Sequence, residues 1–200
     1  MKILETERLI LREIVESDDK FMLDLLNQPS FIKYIGDRNI RNLEQAREFI
    51  ESRYQKSYAE NGFGLYAVEL KSEFVKSAIE NTLVHSQVSA IESKNQKPKT
   101  KSQIPIGICG FVRRDSLPEA DIGFAFLPQF ERKGYAFESA NAVMKYGREK
   151  LNLKRVLAIT SQDNESSGRL LEKLGFKFER LIAQPHDAEE LKLFSSEAKK

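Results

Sequence analysis

The chain has 200 residues, of which 40% are hydrophobic and 31% are charged, and its formal net charge is +2. This length suits a single compact domain with its own hydrophobic core. The near-neutral charge argues against a protein dedicated to binding nucleic acid, because such proteins normally carry a strong basic excess.

Cysteine and histidine are too sparse for a structural metal site. Cys109 is the only cysteine, which excludes an intramolecular disulfide, and His85 and His186 belong to no cluster of ligands. No apolar run approaches the roughly 18 residues of a membrane helix, and the opening residues include acids where a signal peptide would be apolar. We therefore predict a cytoplasmic protein, monomeric or homodimeric, that acts without a metal, a membrane or direct nucleic-acid contact.

The N-terminal half is predicted to alternate strands with two helices. The first helix follows the capping sequence Ser17-Asp18-Asp19 and is expected to stop at Pro29. The second begins at Asn42, with a glutamine three residues on as in a capping box, and ends at Gly62. Short segments rich in branched residues predict strands over 8–12, 64–70 and 104–112.

The segment Ser72–Gln103 is predicted to be an insertion between the second and third strands of a single domain that spans residues 1–200. Its first part has the apolar spacing of a short amphipathic helix. Its last third, Glu92–Lys101, is polar and has no period, so we expect it to be mobile.

The C-terminal half is predicted to alternate strands and helices more regularly. The predicted strands are 120–127, 155–160, 176–181 and 190–194, and the predicted helices are 134–150 and 166–174. Strands in series, followed by strand–helix–strand–helix–strand, indicate a mixed α/β sheet flanked by helices.

The turn before the long helix carries the first chemical signal. Gly134 lies at the start of this helix, where unpaired backbone N–H groups and the helix dipole favour a phosphate or diphosphate. Arg132 and Lys133 would add positive charge. A purely geometric role for Gly134 in the turn explains the same residue, and exposed basic pairs are commonly just solvated.

A second signal follows the fifth predicted strand, in Asp163-Asn164-Glu165-Ser166-Ser167. Asp163, Asn164 or Ser166 would cap the next helix, which Gly175 would end. An asparagine at a strand end also offers an amide that can pair with an amide-bearing ligand. Both interpretations of Asn164 remain open at this point.

Together and in this order, these stretches resemble the GNAT superfamily of N-acetyltransferases, and in particular its ribosomal-protein-alanine (Rim-type) branch. The similarity covers most of the chain, although the insertion has no counterpart in the pattern. The segments that carry it are Thr6–Arg12, Phe63–Val68, Ile106–Phe111, Asp121–Pro128, Lys133–Ala136 with Glu138 and Ala140, and Asn164 with Ser167 and Leu171–Phe176.

The resemblance implies a mixed, mostly antiparallel central sheet of about six or seven strands flanked by about four helices. It further implies that acetyl-CoA is the cosubstrate and that its pantetheine arm enters a splay between the fourth and fifth predicted strands. The backbone N–H groups of Gly134, Tyr135 and Ala136 would then bind the diphosphate, and Asn164 would contact the pantetheine arm or another part of the cofactor.

The implied reaction is direct attack of an amine on the acetyl thioester, without an acyl-enzyme. Asp121 and Glu119 are the candidate general bases, and Asp121 is preferred because it directly precedes Ile122-Gly123. Ser167 is the candidate donor to the departing thiolate. The alternatives are that both acids are solvated at a strand end and that Ser167 is an ordinary first-turn serine.

Protein or peptide N-terminal amines are the first choice of acceptor, and small-molecule amines remain open. A non-catalytic acyl-CoA-binding or interaction module is the alternative of a different class. His186, in a late loop, is a minor candidate for contact with the substrate, and Cys109 is expected to be a buried, inert thiol.

Overall fold

The computed structural model describes residues 1–75, 103–183 and 190–198. At its centre lies one eight-stranded sheet with the strand order β1-β2-β3-β4-β5-β6-β8-β7. The strands are β1 Lys2–Glu5, β2 Leu9–Arg12, β3 Leu65–Leu70, β4 Ile104–Val112, β5 Asp121–Phe126, β6 Arg155–Ser161, β7 Lys177–Ile182 and β8 Leu191–Glu197. Neighbouring strands are antiparallel except β5 and β6, so the predicted mixed and mostly antiparallel sheet is confirmed.

Strand β1 adds to the seven strands that the sequence predicts. It pairs with β2 at the edge of the sheet, with an irregularity in register between Lys2 and Leu4. Its two end residues, Lys2 and Glu5, are exposed and its two central residues are half-buried. Such a short strand has no alternating hydrophobic pattern long enough to be recognised.

The helices are α1 Asp19–Leu26, α2 Pro29–Ile35, α3 Leu43–Phe49, α4 Lys56–Asn61, α5 Tyr135–Glu149 and α6 Glu165–Lys173. A π-helical segment, Ile50–Gln55, joins α3 to α4, so the predicted second helix is one continuous helical segment. Its C-cap is Gly62, whose backbone has the left-handed conformation. Asn42 caps it as predicted, because its side chain accepts a hydrogen bond from the backbone N–H of Gln45.

Pro29 does not simply stop a helix, as the sequence analysis expected, but also begins the next one. It is the first residue of α2, which starts two residues after the C-cap of α1 at Asn27. Proline suits this position because the first N–H group of a helix has no intrahelical partner and the ring presets the required φ angle.

The long helix α5 packs on one face of the sheet. A Cβ on Gly147 would lie 2.4 Å from the Phe111 ring, which shows how closely this helix approaches β4. The side chain of Phe111 therefore faces α5, and the adjacent register pair, Val112 and Asp121, faces away from it. A small second core of Leu117, Leu157 and Leu193 lies on that opposite face.

Strands β3 and β4 are antiparallel neighbours, with Leu70 opposite Ile104. The predicted insertion therefore connects two adjacent strands. Residues 72–75, at the start of the predicted amphipathic helix, are helical, and Phe74 and Val75 pack against the core. The rest of the insertion up to residue 102, including the segment Glu92–Lys101, lies outside the described residues. Within the part of the chain that the structure describes, no helix has the length and apolar character needed to cross a membrane.

Candidate active site

The sheet divides between β5 and β6. These parallel strands share a single register pair, Asp121 with Leu157, beside which the backbone N–H of Leu157 donates to the carbonyl of Ala120 at 3.0 Å. Beyond this pair β6 continues for four residues, or about 13 Å, without pairing to β5. The strands therefore diverge towards their carboxyl ends, which is the splay that the resemblance implies.

Strand β5 leads directly into the turn before α5. After the short helical turn Pro128–Phe130, the backbone takes positive φ angles at Arg132 (58°) and Gly134 (83°). Gly134 is the N-cap of α5 and no side chain caps this end. The first N–H groups of α5 thus remain available to a ligand, at the end of the helix that carries its positive partial charge.

The basic residues of the turn are close to these N–H groups in sequence. Arg132 is exposed, whereas Lys133 is half-buried with its Nζ 5.7 Å from the centroid of the Phe130 ring. Glu131, which precedes them, has an extended backbone and an exposed side chain. Net positive charge therefore lies on the residues of the turn nearest α5.

An ion-pair cluster holds the start of α5 against the β1–β2 turn. The carboxylate of Glu138 accepts hydrogen bonds from Thr6 Oγ1 at 2.6 Å, Arg8 N at 2.9 Å and Arg8 Nε at 2.6 Å. Burial opposes ionisation of Glu138, but these hydrogen bonds and the Arg8 charge together lower its pKa. The sequence analysis assigned no role to Arg8, since no local pattern links residues that lie 130 positions apart.

Strand β6 leads into α6, which begins with a complete cap. Asn164 Oδ1 accepts hydrogen bonds from the backbone N–H of Ser167 at 3.1 Å and from Ser166 Oγ at 3.0 Å. Among the described residues, none accepts a hydrogen bond from Asn164 Nδ2. The oxygen of this amide therefore has the structural role and the nitrogen is left for a ligand, so the two interpretations of Asn164 are compatible.

Helices α5 and α6 both start at the carboxyl ends of the diverging strands. Because β5 and β6 are parallel, the two helix N-termini lie at the open end of the splay. Ser167, in the first turn of α6, is half-buried there.

Asp121 lies at the closed end of the splay. Its side chain is 2% exposed and forms an ion pair with Arg114, whose Nε is 3.0 Å from Oδ1. Burial raises the pKa of Asp121, although the Arg114 charge and hydrogen bond oppose the shift. Asp121 faces away from α5, on the same face as its register partner Leu157, so this carboxylate is directed to the side with the small second core.

Glu119, the second candidate general base, does not lie on the strand that carries Asp121. Strand β5 begins only at Asp121, and Glu119 lies in the preceding loop. Its carboxylate is 3.2 Å from Arg155, which also pairs with Glu179 at 2.5 Å. Glu119 is therefore part of a link between this loop and strands β6 and β7.

A cavity of about 230 Å³ lies on the face to which Asp121 points. Its apolar lining includes Leu117, Leu157 and Leu193, and its charged lining includes Arg155 and Glu179. It lies next to the closed end of the splay because Leu157 is the register partner of Asp121.

Cys109 is fully buried, and burial raises the pKa of its thiol to about 12. A thiol of this kind is a poor nucleophile, which agrees with the inert role expected of it. The described residues contain no group of three or more His, Cys, Asp or Glu side chains arranged to hold a metal ion. His186 lies outside the described residues.

The sequence profile of the Acetyltransferase (GNAT) domain matches residues 8–177. The chain belongs to this family. It is 29% identical to an uncharacterized N-acetyltransferase of Bacillus subtilis, YoaA, over 91% of this chain and 86% of the relative. It is 30% identical to the [ribosomal protein uS5]-alanine N-acetyltransferase of Escherichia coli, over 48% of this chain and 49% of that enzyme.

The fold is also that of solved GNAT structures. A spermidine N-acetyltransferase from Vibrio cholerae, in complex with CoA and spermine, superimposes with a TM-score of 0.67 over 96% of each chain, at 18% identity. At this identity the likeness shows the fold alone. The chain is thus an N-acetyltransferase of the GNAT family, whose members use acetyl-CoA, and the Rim-type branch remains a proposal.

Proposed function

We propose that this GNAT protein transfers an acetyl group from acetyl-CoA to a primary amine by direct attack, with a protein or peptide N-terminus as the acceptor. One observation carries the proposal: the splay between β5 and β6 has two helix N-termini at its open end and a buried carboxylate, Asp121, at its closed end. The open end suits an anionic cosubstrate, and the closed end suits a proton acceptor.

The residues at the open end fit coenzyme A. Gly134, Tyr135 and Ala136 supply backbone N–H groups for the diphosphate, and Arg132 and Lys133 add positive charge. The unpaired backbone edges where β5 and β6 diverge suit the amides of the pantetheine arm. Asn164 Nδ2 is a further donor at the same end.

The reaction needs a neutral amine and an acceptor for its proton. As the amine nitrogen bonds to the thioester carbonyl carbon, the C–S bond breaks, the amine proton passes through water to Asp121 and the thiolate leaves. Ser167 Oγ, at the open end of the splay, is the proposed hydrogen-bond donor to this thiolate. The thiolate then takes up a proton from solvent and Asp121 returns its proton to solvent, so that CoA thiol and an amide result. Burial raises the pKa of Asp121, and the Arg114 charge and hydrogen bond oppose this shift by favouring the charged form that accepts a proton.

An N-terminal α-amine suits a carboxylate base. Its pKa of about 7.7–8.0 leaves a substantial neutral fraction at physiological pH, whereas a lysine amine, with a pKa near 10.4, is almost fully protonated. The sequence similarity to the uS5-alanine acetyltransferase supports the same acceptor class. The cavity beside Leu157 offers an approach from the face to which Asp121 points.

Release of free thiol from acetyl-CoA tests the proposal. The protein is incubated with acetyl-CoA and with a panel of peptides with free N-termini, N-terminally blocked lysine peptides, and small amines such as spermidine. We expect thiol release with the free N-termini and an acetylated α-amine by mass spectrometry. Protection against heat by CoA with no thiol release from any acceptor would instead indicate a non-catalytic CoA-binding module.

Asn164→Ser separates the cap of α6 from the proposed contact with the cosubstrate. Serine is a good N-cap, so helix stability should change little, but the amide donor is lost. We expect the KM for acetyl-CoA to rise by about tenfold, the value of one hydrogen bond of about 1.4 kcal/mol, with an unchanged Tm. An unchanged KM would show that Asn164 is only a cap.

A further inference from the structure

Arg8 lies against the turn before α5 although 125 residues separate it from Lys133 in the sequence. Its Nη1 donates to the backbone carbonyl of Lys133 at 3.2 Å, and its guanidinium lies 4.5 Å above the centroid of the Tyr135 ring. Its Nη2 is 3.3 Å from the position that a Cβ on Gly134 would take. Three successive residues, the last two of the turn and the first of α5, thus lie against one arginine.

The same arginine neutralises the carboxylate nearest to this helix end. Glu138 is in the first turn of α5, where a negative charge competes with a bound anion for the positive end of the helix dipole. Arg8 Nε lies 2.6 Å from Glu138 Oε2, and the backbone N–H of Arg8 binds the other oxygen. The pair is largely shielded from water, with 30% and 18% of the two side chains exposed, so the neutralisation is little screened.

The turn itself needs to be held. Arg132 is a non-glycine residue at φ 58°, a conformation that is unfavourable for such residues unless the surrounding structure maintains it. The bond from Arg8 to the Lys133 carbonyl lies between Arg132 and Gly134, the two residues with positive φ. Arg8 is therefore placed to maintain the backbone conformation of the turn as well as to neutralise Glu138.

We propose that Arg8 is a positioning residue for the diphosphate of coenzyme A, because it holds the turn over residues 132–134 and cancels the charge of Glu138 beside the first N–H groups of α5. The inference rests on the proposed function, in which that helix end binds the diphosphate. It assigns to the β1–β2 turn a part in cosubstrate binding.

Two acyl donors that differ in the diphosphate test this role. Arg8→Gln should raise the KM for acetyl-CoA, and the Kd for CoA by calorimetry, on the order of tenfold, because Glu138 becomes an unpaired negative charge near the anion. The KM for S-acetylpantetheine, which lacks the diphosphate, should not change. Equal effects on both donors, or no effect on either, would overturn the proposal.

Glu138→Gln provides the complementary variant. In the double variant Arg8→Gln/Glu138→Gln the unpaired carboxylate is gone, so CoA should bind more tightly than to Arg8→Gln alone. Failure of this recovery would overturn the neutralising role. Arg8→Lys keeps the positive charge but loses the planar guanidinium and its paired N–H donors. This variant replaces Arg8→Gln if Arg8→Gln does not fold. We then expect a smaller rise in the KM for acetyl-CoA and no change in the KM for S-acetylpantetheine.

Arg47→Gln is the matched control. Arg47 pairs with the buried Asp19 at 2.7 Å and joins α3 to α1, so its loss should lower the Tm without changing the Kd for CoA. An equal rise in Kd for Arg47→Gln would show that the Arg8 effect is general destabilisation. If the wild-type protein itself fails to bind CoA, the proposed function is wrong rather than this inference.

Discussion

Replacing Asp121 by asparagine should lower kcat by about 10²–10⁴-fold, the usual contribution of a positioned proton acceptor. Asparagine has nearly the same shape but cannot take the amine proton. The KM for acetyl-CoA should change little, because Asp121 lies at the closed end of the splay, away from the helix N-termini. Initial rates of thiol release across pH 5–9, with both substrates varied, measure the effect. The variant should lack the acid limb that protonation of Asp121 gives the wild-type kcat profile, whereas the limb of kcat/KM that protonation of the amine substrate gives should remain in both proteins.

Two neighbouring acids serve as comparisons for Asp121. Asp115→Asn changes an exposed carboxylate in the same loop and should leave kcat unaltered. Glu119→Gln should lower kcat less than Asp121→Asn does, because the Glu119 carboxylate forms an ion pair with Arg155. A loss with Glu119→Gln that equals or exceeds the loss with Asp121→Asn would transfer the proposed base to Glu119.

Asp121→Asn also has a pH-dependent effect on stability. Burial raises the pKa of Asp121 in the folded state, so the folded protein binds this proton more tightly than the unfolded chain does. The wild-type protein therefore loses stability as the pH rises through the folded-state pKa, and asparagine does not. The free energy of unfolding of the variant, relative to wild type, should increase as the pH rises from the unfolded-state pKa of aspartate, about 3.9, through the higher folded-state pKa; a decrease would contradict the direction of the shift.

Replacing Arg12 by methionine should destabilise the protein by about 3–5 kcal/mol, the cost of removing one partner from a buried ion pair. The guanidinium binds both oxygens of Asp18 at 2.7 Å and lies 2.8 Å from Glu69. The two acids are only 7% and 8% exposed, so methionine would leave two buried carboxylates unpaired. Urea unfolding should show the loss directly, and the Tm should fall by on the order of 10 °C.

Arg41→Met is the matched control for this prediction. Arg41 pairs with Asp37, four residues earlier in the same loop, but both side chains are well exposed, and such pairs contribute about 0–1 kcal/mol. The triple variant Arg12→Met/Asp18→Asn/Glu69→Gln should recover part of the loss, because the unpaired charges are removed with the arginine. An Arg12→Met variant as stable as wild type would mean that water reaches both acids.

Features that depend on near neighbours in sequence were predictable. Asn42 and Asn164 cap their helices, and Gly62, Gly134 and Gly175 take positive φ angles, because caps and left-handed glycines are set by a few consecutive residues. Pro29 shows the limit of such signals. A proline after a run of helical residues indicates that the helix ends there, but only the structure shows that Pro29 is also the first residue of the next helix, α2.

Features that depend on distant residues were not predictable. The contacts of Arg8 with Glu138, and the link from Glu119 to Arg155, join segments 130 and 36 residues apart. Asp121 lies on β5 and Glu119 in the preceding loop because β5 begins to pair with β4 only at Asp121. No local pattern encodes these partners, because each contact forms only when the strands and helices are in place.

By itself, the sequence determined the α/β class, most strands and helices, and their caps, because hydrophobic period and turn chemistry act over a few residues. The GNAT family was indicated separately, by the resemblance of its ordered motifs to that family. Only the tertiary structure decided that Asp121 is buried on the face away from α5, that β5 and β6 meet at one pair, and that Arg8 lies against the turn before α5. Those properties arise from the pairing and packing of segments far apart in the chain, and burial in turn sets the pKa and the partner of each charge.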